Sequence, residues 1–233
     1  MRFEHISIAY GSRQIFKEFS FALDPGQITC VMGASGIGKT TMLRMAAGLE
    51  RPSSGIIRRP GAARTGMVFQ EPRLLPGKTV LDNILWVLDQ PKRREAQQQA
   101  RALLDAAGLA QAAGDYPQQL SGGMRQRAAV VRAFAAEPDL LVMDEPFQSL
   151  DMASRQEMYA LLLRLHHSGR PTVLLVTHDL EEALTLGTRI VVLGGSPVEV
   201  VLDVAAAREE GGPYFSEADR LRLAQMTRGT ATF

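Results

Sequence analysis

Eight consecutive residues constrain this chain more than any other stretch: Gly33-Ala34-Ser35-Gly36-Ile37-Gly38-Lys39-Thr40. They fit the pattern G-x-x-x-x-G-K-[ST]. An apolar run at 28–32 precedes them, and a helical pattern at 40–47, closed by Gly48, follows. A strand turning tightly into a helix is the setting in which this pattern cradles phosphate. Gly36 and Gly38 permit backbone turns that aim successive N–H groups at one point. The helix start adds the positive end of its dipole. Lys39 is expected to reach β- and γ-phosphate oxygens, and the Thr40 hydroxyl to bind Mg²⁺. The candidate phosphate contacts are Gly33, Ala34, Ser35, Gly36, Ile37, Gly38, Lys39, Thr40 and Thr41.

The rest of the pattern reads as one α/β protein. Strand-like runs at 3–10, 20–23, 27–32, 56–59 and 64–69 are punctuated by Gly and Pro. Later runs at 140–143, 173–176 and 190–193 are almost continuously apolar, as strands buried on both faces of a parallel sheet are. Helical stripes lie between. Leu81, Ile84, Leu85 and Leu88 form one, ended by Pro91; Ala96, Ala100, Leu103, Leu104 and Ala107 form another, stopped by Gly108. Met158, Leu161, Leu162 and Leu165 form a third, with Asp151 as its N-cap and Gly169 as its C′ residue. Asp179 and Glu182 read as a variant capping box. Three helical patterns between Thr79 and Glu137 with no strand among them imply an inserted helical subdomain. Lys92 to Glu95 reads as a solvated helix start.

Composition narrows the class. Lys plus Arg is 26 against 25 for Asp plus Glu, so no basic excess points to nucleic acid. One cysteine, Cys30, allows no internal disulfide and fits a buried filler. No apolar run reaches the roughly 18–20 residues of a membrane span, and residues 1–5 lack the apolar segment of a signal peptide.

A second glycine-lined helix start follows: Leu120-Ser121-Gly122-Gly123-Met124-Arg125-Gln126-Arg127. Ser121 can cap it, and the glycines leave room for close approach of an anion. This stretch resembles the signature motif of the ATP-binding-cassette (ABC) family. The resemblance covers residues 3–195 and implies the remaining roles in order. Asp144 and Glu145, after the apolar run 140–143, resemble the acidic pair that holds Mg²⁺ and polarises the attacking water. Gln70 matches a glutamine that contacts both Mg²⁺ and water. Ser149-Leu150-Asp151 matches a loop that crosses a dimer seam. His178 matches a γ-phosphate contact, and Tyr10 matches the aromatic residue that stacks on adenine. His166 and His167 receive no role.

The family likeness implies an α/β P-loop NTPase (RecA-like) core with a mainly parallel sheet, an N-terminal antiparallel β-subdomain and the inserted α-helical subdomain. The expected division is 1–72 and 136–202 for the core with its β-subdomain, 73–135 for the helical signature subdomain, and 203–233 for a tail without a readable motif, with 208–212 a mobile link. It also implies ATP and Mg²⁺, and a second copy whose Ser121, Gly122 and Gly123 close on the first copy's γ-phosphate. Further expected partners are a permease, indirectly a solute-binding protein, and no nucleic acid. The place implied is peripheral, on the cytoplasmic face of the inner membrane. Phe69-Gln70-Glu71-Pro72-Arg73-Leu74-Leu75-Pro76, with Thr79 to Asn83, Tyr116 to Leu120 and Asp144-Glu145-Pro146-Phe147, resembles subunits of nitrate/sulfonate/taurine-type importers. Gly77-Lys78 departs from that pattern. Leu74, Leu75 and Pro76 either meet the permease or pack inside the helical subdomain. The rival readings are a soluble ABC ATPase and a P-loop kinase or GTPase. The chain has no guanine-reading Asn/Thr-Lys-x-Asp segment, and a kinase would not need residues 120–123.

Overall fold

The computed structural model describes residues 1–59, 64–88, 93–209 and 212–229. The first half runs β1 (Arg2–Tyr10), β2 (Arg13–Ala22), β3 (Ile28–Gly33), α1 (Lys39–Ala47), β4 (Ser54–Arg58), β5 (Thr65–Val68), α2 (Val80–Leu85), α3 (Arg93–Ala106) and α4 (Gly122–Ala135). The second half runs β6 (Leu140–Asp144), α5 (Met152–Gly169), β7 (Thr172–Val176), α6 (Leu180–Leu186), β8 (Arg189–Gly194), β9 (Glu199–Ala205), β10 (Ala207–Glu209), β11 (Gly212–Tyr214) and α7 (Glu217–Gly229). Two compact units result. One comprises 1–63, 142–145 and 172–233; the other comprises 64–141 and 146–171.

In the first unit β7, β3 and β8 run parallel, and β9 closes the edge antiparallel to β8. Ile28, Cys30, Val31, Met32, Leu174, Leu175, Val191 and Val192 are buried. Their runs lack alternation because both faces of the strands are covered. A separate antiparallel sheet, β2-β1-β4, carries a cluster of Phe3, Phe16, Phe19 and Phe21, with Phe16 and Phe19 centroids 4.8 Å apart. The expected parallel sheet and N-terminal antiparallel subdomain are therefore both present.

The second unit holds helices α2 to α5 with β5 and the start of β6. Three of these helix starts have a readable cause. The Thr79 side chain accepts from Asp82 N–H at α2, Ser121 from Met124 N–H at α4, and Asp151 from Ser154 N–H at α5. Leu104, Ile84, Val130 and Leu162 form part of its fully buried core.

Several local expectations need correction. Gly169 is not a C′ residue: α5 runs through it, and Arg170 takes the left-handed turn at φ +46°. Strand β2 begins at Arg13, seven residues before the expected run at 20–23. Register shifts in its pairing with β1, and a positive φ of +48° at Glu18, break the two-residue alternation. The region 203–233, where no motif is read, holds the end of β9, the pair β10 and β11, and α7, with Leu223 and Phe215 buried. Of the expected link at 208–212, residues 210 and 211 lie outside the described residues; so do Pro91 and Lys92.

Candidate nucleotide site

Strand β3 ends at Gly33, where φ is +151° and an added Cβ would lie 2.7 Å from the Leu193 carbonyl oxygen. At Gly38, φ is +128° and a Cβ would come within 2.6 Å of Ile15 Cγ2. These two glycines are required by the packing of this unit itself. Helix α1 then begins differently from its neighbours. Its N-cap, Gly38, offers no side-chain hydrogen bond, and its first turn has no acidic residue. By contrast, α2, α4, α5 and α6 each receive a side-chain cap. The first-turn N–H groups and dipole of α1 are thus left to something outside the chain, and an anion suits them.

The surrounding side chains match that reading. Lys39 Nζ donates to the carbonyls of Gly33 at 2.7 Å and Ala34 at 2.9 Å, curling over the loop it follows. Burial lowers the Lys39 pKa, while Glu145 and Asp144 pull it back up. Arg13 Nη2 donates to the Gly36 carbonyl at 2.9 Å and steadies the loop from β2. Thr40 Oγ1 donates to Asp144 Oδ2 at 3.4 Å. Burial raises the Asp144 carboxyl above its ordinary value, and the charge of Glu145 adds to this; Thr40 and Lys39 act against it. Two carboxylates side by side in a half-buried pocket call for positive charge.

Glu145 follows β6 in an unusual backbone state. Its φ is +43°, in the left-handed region, and its N–H donates to the Val176 carbonyl at 3.0 Å. The turn directs the carboxylate into a cavity of about 180 Å³ lined by Ser35, Gly36, Gly38, Lys39, Thr40, Thr41 and Glu145. His178 Nδ1 lies 3.0 Å from Glu145 Oε2. The first unit therefore brings together residues 33–41, Asp144, Glu145 and His178. Tyr10 stands 46% exposed at the end of β1, its hydroxyl 3.5 Å from Thr41 Oγ1 and bonded to the Glu50 carboxylate.

The other expected site residues are carried by the second unit. Gln70 is exposed and its amide donates to Gln148 Oε1. Asp151 caps α5 with both oxygens, accepting from Ser154 N–H and Ser154 Oγ, each at 2.9 Å. A Cβ on Gly123 would lie 3.8 Å from that same Ser154 Oγ, so the signature glycine and the Asp151 turn are neighbours.

Four residues escape sequence reasoning. Arg13 and Glu50 lie 23 and 40 residues from Gly36 and Tyr10, the groups they hold. Asn83, fully buried, accepts from Leu75 N–H at 2.8 Å and donates to the carbonyls of Leu75, Lys78 and Thr79. Arg132 donates to Asn83 Oδ1 at 3.2 Å and to the Arg73 carbonyl at 2.6 Å. A polar residue on an otherwise apolar helix stripe was the available signal at Asn83.

A buried parallel strand emptying through a glycine turn into an uncapped helix defines a P-loop nucleotide-binding domain. Within that class, residues 16–148 match the ABC transporter family, and the chain belongs to it. The aliphatic sulfonates import ATP-binding protein SsuB 1 of Burkholderia cenocepacia (strain HI2424) is 45% identical over 192 residues, which are 81% of this chain and 59% of that protein. The chain thus spans less than two thirds of that relative. SsuB 2 of the same strain is 41% identical, covering 92% of this chain and 82% of its own length. SsuB 1 of Agrobacterium fabrum is 37% identical, covering 96% and 82%. Among solved structures, a dimeric bacterial ABC transporter cassette aligns with TM-score 0.77 at 27% identity over 89% of this chain and 99% of that one. A dimeric post-hydrolysis state of an ATP-binding cassette bound to ADP and Pi aligns with TM-score 0.75 at 27% identity, with the same coverage. Among the described residues, no helix is long and apolar enough to cross a membrane.

Proposed function

We propose that this chain is the ATP-hydrolysing subunit of an ABC importer for small sulfonate-like solutes. One observation carries the ATPase reading: the uncapped start of α1 opens on a pocket that also holds Thr40, Glu145 and Lys39. Residues 33–41 bind the phosphates through backbone N–H groups, and Lys39 neutralises their charge. Tyr10 stacks on the base. Glu145 orients and polarises the attacking water, held by its contact to His178, which also faces the γ-phosphate.

The donor set fits Mg²⁺. A hydroxyl and a carboxylate oxygen, Thr40 Oγ1 and Asp144 Oδ2, converge beside a second carboxylate, and Mg²⁺ takes one or two carboxylates and completes its shell with phosphate and water. When bound, the metal supplies positive charge to the β- and γ-phosphate oxygens.

Two copies sandwich two ATP molecules. Ser121, Gly122 and Gly123 of one copy meet the γ-phosphate held by the other, with Asp151 at the seam; the dimeric cassettes among the solved relatives support this arrangement. Closure drives a permease, and the names of the sulfonate-import relatives support the solute class. The permease contact falls on residues 74–76, where Leu74 and Leu75 are half-buried and Pro76 is exposed, on a segment pinned by Asn83 and Arg132. Trp86, 66% exposed with the Lys78 ammonium 4.5 Å from its ring centroid, extends that patch. The subunit is peripheral, on the cytoplasmic face of the membrane, and a solute-binding protein delivers the cargo to the permease.

The test is a tagged pull-down from detergent-solubilised membranes of the source cell, read by mass spectrometry. A multi-span permease is expected. Recovery of soluble partners alone overturns the transporter reading and leaves the ATP site standing.

A further inference from the structure

We infer that Glu50 is a positioning residue for the nucleotide base: it fixes the Tyr10 ring in the plane that the base stacks on. The inference rests on the reading of Tyr10 as the stacking residue and adds the group that makes it competent.

The geometry begins with α1. The helix closes at Gly48, φ +79°, whose N–H returns to the Arg44 and Met45 carbonyls, and Leu49 N–H donates to the Arg44 carbonyl at 2.8 Å. This tight closure fixes where Glu50 leaves the helix. Its Oε1 accepts the Tyr10 hydroxyl, and the same hydroxyl lies 3.5 Å from Thr41 Oγ1 in the first turn of α1. The tip of the tyrosine is therefore tied to the element whose N-terminus faces the phosphates. A tyrosine at the end of a strand, 46% exposed, is otherwise held only through its own χ angles. A bond at the tip stops the ring from turning before the base arrives, so less ordering remains to be done on binding.

The state of the carboxylate supports a dedicated role. Glu50 Oε2 is shielded from solvent and has no hydrogen-bond partner. A hidden, unpartnered carboxylate oxygen weakens a fold. The fold gains little from a charge here, whereas the phenol gains a strong acceptor.

The test separates base from phosphate. The full chain is titrated with Mg-ATP and, separately, with inorganic tripolyphosphate plus Mg²⁺, which has no base to stack. Glu50→Ala and Tyr10→Phe are each expected to weaken ATP about 3- to 10-fold, the range of one lost hydrogen bond. Neither should change tripolyphosphate affinity. Glu50→Gln keeps an oxygen acceptor and should recover most of the loss. The double variant Glu50→Ala/Tyr10→Phe should be no weaker than either single one. Equal weakening of both ligands by Glu50→Ala overturns the inference, because Glu50 would then support only the phosphate cradle or the fold. Unchanged ATP affinity in Glu50→Ala, alongside selective loss in Tyr10→Ala, overturns the inference alone. Unchanged ATP affinity in Tyr10→Ala overturns the stacking reading as well.

Discussion

The two glycine-lined helix starts of this chain differ in what demands the glycine. At Gly33 and Gly38 the backbone has positive φ, and a Cβ would collide with Leu193 and Ile15. Folding of the first unit itself selects those residues. At Gly122 and Gly123 no positive φ occurs, and a Cβ would meet its nearest neighbours at 4.0 and 3.8 Å, ordinary contact distances. Nothing inside the second unit requires them, and alanine would suit the first turn of α4 better. Glycines that the second unit's own packing does not require suit the proposed contact with a nucleotide outside the chain. The difference supports the proposed arrangement, in which the first site is built within one copy and the second meets a nucleotide held by another.

Substitutions can break or sharpen this contrast. The largest effect belongs to the chemistry of the first unit. Glu145→Gln should lower phosphate release by about 10²- to 10⁴-fold, the range for a lost general base, while light scattering detects an ATP-bound dimer. A variant that stays monomeric at saturating Mg-ATP contradicts the two-copy site. Gly38→Ala should destabilise the fold by about 1–3 kcal/mol in urea and abolish ATP binding, since both strain and overlap arise. Gly123→Ala should do the reverse: stability unchanged or raised by up to about 1 kcal/mol, with ATP hydrolysis at least about 10-fold slower as backbone N–H groups lose access to the γ-phosphate. A Gly123→Ala protein that hydrolyses ATP normally removes the contrast. The smallest effect is expected at Arg13. Its exposed bond to the Gly36 carbonyl steadies the loop without touching chemistry. Arg13→Ala should weaken ATP by about 2- to 5-fold and leave kcat unchanged, as measured by steady-state kinetics.

Much of this was legible before any coordinates. The strands β3, β6, β7 and β8 are apolar runs because both their faces are buried, and composition alone reveals that state. Gly48, Ser121, Asp151 and Asp179 marked helix ends because each cap is a local bond between residues one turn apart. The phosphate loop was legible for the same reason: eight adjacent residues carry most of its geometry. What stayed hidden depends on distant or irregular backbone. The bulged β2 places Phe16, Phe19 and Phe21 on one core through shifted spacing, which mimics neither strand nor helix. Helix α7 buries few apolar residues, among them Leu223, so its sequence carries almost no periodic signal. Arg13 and Glu50 act through contacts that no spacing along the chain encodes. The grouping of α5 with the helical unit follows from packing alone.

The left-handed backbone at Glu145 has a consequence for how this sequence can change over generations. A residue other than glycine, asparagine or aspartate there destabilises the fold by roughly 1–2 kcal/mol, so glycine or asparagine at 145 is a route to a hardier chain. Selection for survival at high temperature, applied without a demand for hydrolysis, should therefore remove this glutamate early. A library screened only for thermal endurance would enrich dead cassettes, and sequencing position 145 in the survivors would record it.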